Sequence, residues 1–168
     1  MKLVVQIPCL DEAATIGEVI AAVPRDLPPF DRVEVLVVDD GSRDGTAEAA
    51  SRAGADHLVR FRQRRGLSVA FQAGLKEAIR VGADVVVNTD GDGQYDAGGI
   101  ADLVAPIVEG QADIVVGDRA PHRNREFTRV KRLLQRLGSK VVEIVGVPGA
   151  RDATSGFRAY SREAALDL

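Results

Sequence analysis

The chain alternates short apolar runs with turns and helix-like segments, and this alternation most constrains its fold. The runs are rich in β-branched residues and cover residues 3–7, 33–38, 58–59, 85–87 and 114–116. Strands that alternate with helices are typical of βα units built around a parallel sheet. The sequence therefore predicts an α/β fold: a mostly parallel central sheet between two layers of helices, a three-layer α/β/α sandwich.

Two longer segments carry apolar residues at helical spacing. The first presents Leu67, Ala70, Phe71, Gly74, Leu75, Ala78 and Ile79 on one face. The second presents Val130, Leu133, Leu134, Leu137 and Val141. Ser161 is a suitable N-cap for a further helix, which the chain ends shortly after starting. We therefore expect one domain, residues 1–168, that is truncated at its C-terminal end.

The composition excludes several classes of protein. Cys9 is the only cysteine, so an internal disulfide is impossible, and no Cys/His spacing suits zinc. No segment approaches the ~20 apolar residues that span a bilayer, and none is typical of a signal peptide. These features predict a soluble, cytoplasmic protein. The two histidines, His57 and His122, are interpreted as structural or exposed rather than catalytic.

The net charge of −3 is distributed unevenly. Residues 118–140 contain eight bases and two acids, which leaves the rest of the chain at −9. A basic segment on an acidic body predicts one anion-binding surface and argues against a nucleic-acid-binding protein. A solvated helix face is the alternative interpretation.

Acidic and polar residues follow four of the predicted strands. These loops read Pro8-Cys9-Leu10-Asp11-Glu12, Asp39-Asp40-Gly41-Ser42, Asp90-Gly91-Asp92-Gly93-Gln94 and Gly117-Asp118-Arg119. In open α/β sheets, ligands bind beyond the carboxyl ends of the strands, where such loops meet. We therefore expect the carboxylates of different loops to converge on one rim.

The spacing of Asp90 and Asp92 favours a metal site. Two like charges on a glycine-flanked bend are costly unless a cation lies between them. Hard carboxylate oxygens suit Mg²⁺ or Mn²⁺, which take their remaining ligands from water and substrate phosphates. The motif predicts a divalent metal bridging to a diphosphate, with Gln94 as a neutral neighbour. A polar surface turn is the alternative.

The Asp39-Asp40 pair favours ligand binding by a different argument. Asp44 already supplies the start signal of the next helix, which leaves the pair without an evident structural role. A nucleoside offers ring N–H groups and ribose hydroxyls that carboxylates accept. We interpret Asp39 and Glu12 as candidate contacts to the base and the ribose.

These loops, together with the segment 152–158 (DATSGFR), resemble the ordered motifs of glycosyltransferase family 2. Within that family they are most similar to the dolichyl-phosphate mannose synthase group. The resemblance covers nearly the whole chain through five motifs in the same order. It implies a GT-A fold and a metal-dependent, inverting transfer from a nucleotide sugar, a GDP- or UDP-sugar.

The resemblance also implies a role for individual residues. Nucleotide binding falls to Pro8, Leu10, Glu12, Val37, Asp39, Asp90, Gly91 and Asp92. Metal binding falls to Asp90, Asp92 and Gln94, and the catalytic residues are Asp92 and Arg119. The acceptor phosphate would be held by Arg119, Lys131, Arg132 and Ser155.

The implied acceptor is a polyprenyl phosphate, dolichyl or undecaprenyl, at the cytoplasmic surface of a membrane. A phosphomonoester, with a second pKa of about 6, is largely dianionic at neutral pH and attacks without a general base. If the acceptor were a saccharide hydroxyl, a carboxylate base would be required, and Asp118 or Asp152 would be the candidates.

Three rival functions are weighed against this one. A truncated nucleotide-binding domain without turnover would share the same loops. A receiver-type signalling module also gathers aspartates around Mg²⁺, but its acidic pair follows the first strand, whereas Asp39 and Asp40 follow the second. A sugar-nucleotide pyrophosphorylase would carry a glycine-rich loop after the first strand, and residues 8–12 contain no glycine.

Overall fold

The computed structural model of the chain describes residues 1–92, 97–117 and 156–168. In these ranges the strands are β1 (Lys2–Cys9), β2 (Arg32–Asp39), β3 (His57–Arg60), β4 (Val85–Asn88), β5 (Ile114–Val116) and β6 (Arg158–Ser161). The helices are α1 (Ile16–Ala22), α2 (Thr46–Arg52), α3 (Leu67–Arg80), α4 (Ile100–Val108) and α5 (Arg162–Leu166), with a 3₁₀ turn at Ala97–Gly99. Every predicted strand is therefore present.

The six strands form one sheet in the order β3-β2-β1-β4-β6-β5. The first four of these run parallel, and β6 runs antiparallel to both β4 and β5. Cys9 pairs with Asp39, and Gln6 pairs with Asn88. The predicted α/β class with a mostly parallel sheet is confirmed.

Helices cover both faces of the sheet because the central strands are apolar on both faces. Along β1, Leu3, Val5 and Ile7 face the core beneath α1, α2 and α4, whereas Val4 faces the core beneath α3 and α5. This alternation is the two-residue period of a strand. Burying each large aliphatic side chain contributes ~1.5–3 kcal/mol, so continuous apolar strands favour two covering layers. The predicted three-layer sandwich is confirmed.

The predicted helix at residues 67–79 is confirmed as α3, with one exception on its apolar face. Ala70, Leu75 and Ala78 are buried, but Leu67 is 67% exposed. Leu67 is the first residue of α3 and lines a cleft at the carboxyl edge of the sheet rather than the core. The predicted N-cap is also confirmed, since the Ser161 hydroxyl accepts a hydrogen bond from the Ala164 N–H at 3.1 Å.

His57 has the predicted structural role. It begins β3, and its Nε2 lies 2.7 Å from the Oε2 of Glu34, an atom that also accepts a hydrogen bond from Lys2 Nζ at 2.9 Å. The basic segment, the predicted helix at 130–141 and His122 lie outside the described residues. None of the helices that the structure describes is long and apolar enough to cross a membrane.

Candidate functional site

A cleft opens at the carboxyl ends of β1 and β4, where the strand order reverses. Strands β2 and β3 extend from β1 in one direction, and β4 and β6 extend in the other. Such a reversal leaves a crevice between the loops that leave the two strands. The cleft has a volume of about 300 Å³. Its lining residues are Pro8, Cys9, Leu10, Glu12, Asp40, Arg64, Leu67, Ala70, Asp90, Gly91 and Asp92.

Six of the eight predicted nucleotide-binding residues line this cleft. They are Pro8, Leu10, Glu12, Asp90, Gly91 and Asp92. The other two, Val37 and Asp39, have fully buried side chains and are not among the lining residues. The structure thus brings together carboxylates from the loops after β1, β2 and β4, with Asp40 as the contribution of β2. Nucleotide binding by Val37 and Asp39 stays a prediction.

The expectation that the Asp39-Asp40 pair lacks a structural role was wrong. Asp39 Oδ1 accepts a hydrogen bond from the Ser42 N–H at 2.8 Å, and its Oδ2 lies 3.3 Å from Arg60 Nε. The Asp40 carboxylate accepts hydrogen bonds from the N–H groups of Arg65 and Gly66, at 2.7 and 2.9 Å. Asp40 therefore holds the loop that precedes α3.

The loops after β1 and β2 are joined by hydrogen bonds between backbone and side chains. The N–H groups of Asp11 and Glu12 donate to the hydroxyls of Ser42 and Thr46, both at 2.9 Å. Asp11 returns a bond by accepting from the Arg43 N–H at 2.9 Å. Asp11 has a φ of 55°, a left-handed conformation that aspartate tolerates better than most residues. Glu12 is therefore presented to the cleft on a braced loop.

Thr15 joins the first loop to the loop after β4. Its hydroxyl lies 3.0 Å from Glu12 Oε2 and 2.9 Å from the carbonyl oxygen of Gly91. Gly91 approaches the first loop closely, because a Cβ built on it would lie 3.2 Å from the Cys9 Cβ. The loop that carries Asp90 and Asp92 is thus packed against the loop that carries Glu12.

Arg64 is a cleft residue that the sequence analysis missed. Asp40 binds the backbone of the next two residues, and Gly41 packs against the backbone of Gln63 and Arg64. Gly41 has a φ of +82°, and a Cβ there would lie 2.6 Å from the Gln63 carbonyl carbon, so the turn requires glycine. The concentration of arginines in the segment RFRQRRG, just before α3, was the available signal.

The Asp90 carboxylate packs against the backbone that leads into β6. A Cβ built on Gly156 would lie 2.6 and 2.7 Å from the two carboxylate oxygens of Asp90. Such distances are well inside van der Waals contact, so a larger residue than glycine at this point would displace the carboxylate. The antiparallel strand β6 thereby contributes to the wall of the site.

The charge of the cleft suits a cation together with a phosphorylated ligand. Glu12, Asp40, Asp90 and Asp92 line it, opposed by Arg64. No three His, Cys, Asp or Glu side chains in the described parts of the chain are grouped as a complete metal site. Mg²⁺ is nevertheless bound in many enzymes by one or two carboxylates, with water and substrate phosphate completing the shell. The donor set of Asp90 and Asp92 fits that mode of binding.

The remaining predicted site residues fall outside the described parts of the chain. They are Gln94, Arg119, Lys131, Arg132 and Ser155, with the alternative bases Asp118 and Asp152. Their roles in metal and acceptor binding stay predictions.

Comparison with known proteins identifies the family. The model of Glycosyl transferase family 2 matches residues 4–168, nearly the whole chain. The chain belongs to glycosyltransferase family 2. The resemblance inferred from the loop motifs is therefore confirmed, and the receiver and pyrophosphorylase alternatives are set aside.

Two curated relatives show how the family 2 chain compares with longer proteins. Glycosyltransferase AglJ of Haloferax volcanii is 36% identical over 96% of this chain, which corresponds to 50% of the relative. Polyprenol monophosphomannose synthase of Mycolicibacterium smegmatis is 31% identical over 96% of this chain and 62% of the relative. The chain thus spans between half and two thirds of the length of these two proteins.

A solved structure supports the fold assignment. It is glucosyl-3-phosphoglycerate synthase from Mycobacterium tuberculosis in complex with Mn²⁺, UDP-glucose and glycerol 3-phosphate. The match has a TM-score of 0.72 with 27% identity, and it covers 96% of this chain and 57% of that one. The family 2 chain has the GT-A fold that the sequence motifs implied.

Proposed function

We propose that this chain is the catalytic domain of a metal-dependent, inverting glycosyltransferase that moves a sugar from a GDP- or UDP-sugar to a polyprenyl phosphate. One observation carries the proposal: Asp90 and Asp92 share a single cleft with Pro8, Leu10 and Glu12. Residues suited to a nucleoside and residues suited to a metal diphosphate thus lie side by side. Membership of family 2 supports the same assignment.

The first loop suits the nucleoside part of the donor. Pro8 and Leu10 offer apolar surface to the base, as is usual in small-molecule sites with a few polar anchors. Glu12 is an acceptor-only group when ionised, so it suits the ribose hydroxyls as donors. The Glu12 N–H donates to the Thr46 hydroxyl, and the Glu12 carboxylate accepts from the Thr15 hydroxyl. These bonds hold Glu12 in place before the nucleotide arrives.

The loop after β4 suits the diphosphate. Asp90 and Asp92 would repel phosphate oxygens unless a cation lay between them, whereas Arg64 attracts them directly. A bound Mg²⁺ or Mn²⁺ would supply charge neutralisation for the departing diphosphate. We assign Asp90, Asp92 and Gln94 to the ion and Asp92 to catalysis. The related synthase solved with Mn²⁺ and UDP-glucose supports this use of the cleft.

The acceptor assignment rests on the sequence and on the relatives. One relative is named polyprenol monophosphomannose synthase, which favours a lipid phosphate as the acceptor. Arg119, Lys131, Arg132 and Ser155 would hold that phosphate, and Arg119 suits paired, charge-assisted hydrogen bonds. The dianionic phosphate attacks the anomeric carbon without a protein base. The enzyme would then work at the cytoplasmic face of a membrane.

A saccharide hydroxyl is the second candidate acceptor. The related synthase was solved with glycerol 3-phosphate, so the fold also accommodates small acceptors that carry hydroxyls. This reaction requires a carboxylate base, and Asp118 and Asp152 remain the candidates. Transfer of labelled sugar to polyprenyl phosphate, and none to free saccharides, would support the first assignment; the reverse result would replace it with the second.

Calorimetric titration with UDP and GDP, each with and without Mn²⁺, tests donor binding. We expect one of the two to bind at least tenfold more tightly with the ion, and Asp92→Asn to abolish that gain. The matched control is Asp26→Asn, which removes an exposed acid remote from the cleft lining. If neither nucleotide binds in a metal-dependent way, the proposed function is wrong.

A further inference from the structure

A buried chain of amide groups crosses three neighbouring strands at the edge of the site. Gln6 in β1 donates from Nε2 to the Asn88 Oδ1 in β4 at 2.9 Å. Asn88 donates from Nδ2 to the carbonyl oxygen of Gly156, just before β6, at 2.7 Å. Gln6 is fully buried and Asn88 is 6% exposed. The bond between the two amides is therefore shielded from competition with water, and the bond to Gly156 is partly buried.

The bond from Asn88 to Gly156 holds a part of the backbone that the β4–β6 pairing does not reach. In the described pairing between β4 and β6, Asn88 and Arg158 are the last pair on the side of the site. The Asn88 side chain reaches two residues further, to the backbone that touches the Asp90 carboxylate. Alignment of the two strands therefore does not explain this contact.

The chain of amides also carries a cost. Gln6 Oε1 is buried and has no hydrogen-bond partner among the residues that the structure describes, which costs ~1–3 kcal/mol for a neutral group. Gly74 packs closely against this side chain, because a Cβ there would lie 3.0 Å from the Gln6 Cδ. An apolar residue at position 6 would leave no buried acceptor without a hydrogen bond. A buried polar side chain with an unsatisfied oxygen is not explained by packing alone.

We propose that Asn88 is a positioning residue for Asp90. By holding the Gly156 carbonyl, it fixes the backbone against which the Asp90 carboxylate packs, and so sets the direction in which that carboxylate meets the metal diphosphate. Gln6 orients the Asn88 amide so that its N–H₂ group points to Gly156. The proposal rests on the assignment of Asp90 to metal binding under the proposed function.

Two variants test the two contacts of Gly156, one with the Asn88 side chain and one with the Asp90 carboxylate. Asn88→Leu has similar volume and removes the bond to Gly156 without adding charge. Gly156→Ala keeps Asn88 but places a methyl group against the Asp90 oxygens. Thr89→Val is the matched control, since it is equally buried, nearly isosteric and adjacent to Asn88. Circular dichroism and thermal unfolding establish that each variant of the 168-residue chain is folded.

The readout is the affinity for the nucleoside diphosphate that the wild-type chain binds, measured with and without Mn²⁺. Loss of groups that orient metal ligands typically weakens metal binding roughly 10-fold to 100-fold, and we expect that loss in Asn88→Leu and Gly156→Ala. Metal-free nucleotide affinity should stay within about twofold of wild type, as should every value for Thr89→Val. A merely structural role would lower the melting temperature without this selective effect.

The outcomes separate the two claims. If the wild-type chain binds with metal and either folded variant binds equally well, the inference is wrong and the proposed function stands. If Asn88→Leu does not fold, Asn88→Ala takes its place, because it removes the same bond to Gly156 and should show the same selective loss. If the wild-type chain shows no metal-dependent binding, the proposed function fails and the role of Asn88 falls with it.

Discussion

Thr15 and Gly91 are joined by a hydrogen bond between the threonine hydroxyl and the glycine carbonyl, at 2.9 Å across 76 positions of sequence. The same hydroxyl lies 3.0 Å from Glu12 Oε2. A hydroxyl has one proton, so it donates to one of these acceptors at a time. The nucleoside side of the cleft and the loop that carries Asp90 and Asp92 thus share a single donor.

Thr15→Val should weaken nucleotide binding and the fold by similar free energies. The substitution preserves shape but leaves the Gly91 carbonyl and Glu12 without that donor, so we expect a stability loss of ~1 kcal/mol. Both loops contact the proposed nucleotide sugar. Metal-dependent nucleotide affinity should therefore fall about fivefold to tenfold, which corresponds to a free energy similar to the stability loss. Calorimetry and urea unfolding measure the two effects. The control is Ser51→Ala, which changes an exposed residue of α2. If Thr15→Val and Ser51→Ala bind the nucleotide equally well, the Thr15 hydroxyl does not support binding by joining the two loops.

Arg64→Gln should lower the affinity for nucleoside diphosphates and flatten its dependence on salt. Arg64 is the basic side chain among the residues that line the cleft, so it is the lining residue suited to attract the proposed diphosphate. An exposed or half-exposed charge contact is screened by salt, so removing it should reduce the salt slope as well as the affinity. Titrations at low and high salt measure both. The control is Arg62→Gln, an exposed neighbour outside the cleft lining, which should bind like wild type. A comparable loss of affinity in Arg62→Gln would attribute the effect to general surface charge and not to Arg64.

Gly41→Ala and Gly45→Ala should separate backbone strain from steric overlap. Both glycines have positive φ, 82° and 92°, so alanine costs ~1–2 kcal/mol at either position. Only at Gly41 would the new Cβ overlap the backbone of Gln63, whereas nothing lies within 4 Å at Gly45. Urea denaturation should show a clearly larger loss of unfolding free energy for Gly41→Ala. Equal losses would mean that the Gln63 backbone moves aside freely.

Cys9 should be unreactive in the folded chain and should make stability fall at high pH. Burial, followed by the charges of Asp39 and Glu12, raises the pKa of the Cys9 thiol to about 12 from 9.0. Between these values the unfolded chain releases the thiol proton and the folded chain keeps it, so the free energy of unfolding falls as pH rises from about 9 towards 12. Cys9→Ala should lack this component in urea titrations across that range. Rapid labelling of native Cys9 by a disulfide reagent at pH 8 would contradict the burial.

The helices and strands of this fold could be predicted from the sequence because each depends on the spacing of apolar residues within a short segment. The apolar runs of β1, β2 and β4 are buried on both faces, and such runs form strands wherever the chain places them. The order of the loop motifs determined the family, and most predicted nucleotide residues line one cleft because parallel strands bring their carboxyl ends to one edge.

Only the tertiary structure decided how the loops meet. That Asp40 rather than Asp39 faces the cleft, that Arg64 joins it and that Gly156 touches Asp90 all depend on packing between segments far apart in sequence. The Asp40 bonds span about 25 positions and the Asn88 bond to Gly156 spans 68. The residue types alone allow either aspartate to turn inward. The choice depends on which backbone N–H groups the neighbouring loop presents, and that is settled only when the sheet has brought the two loops together.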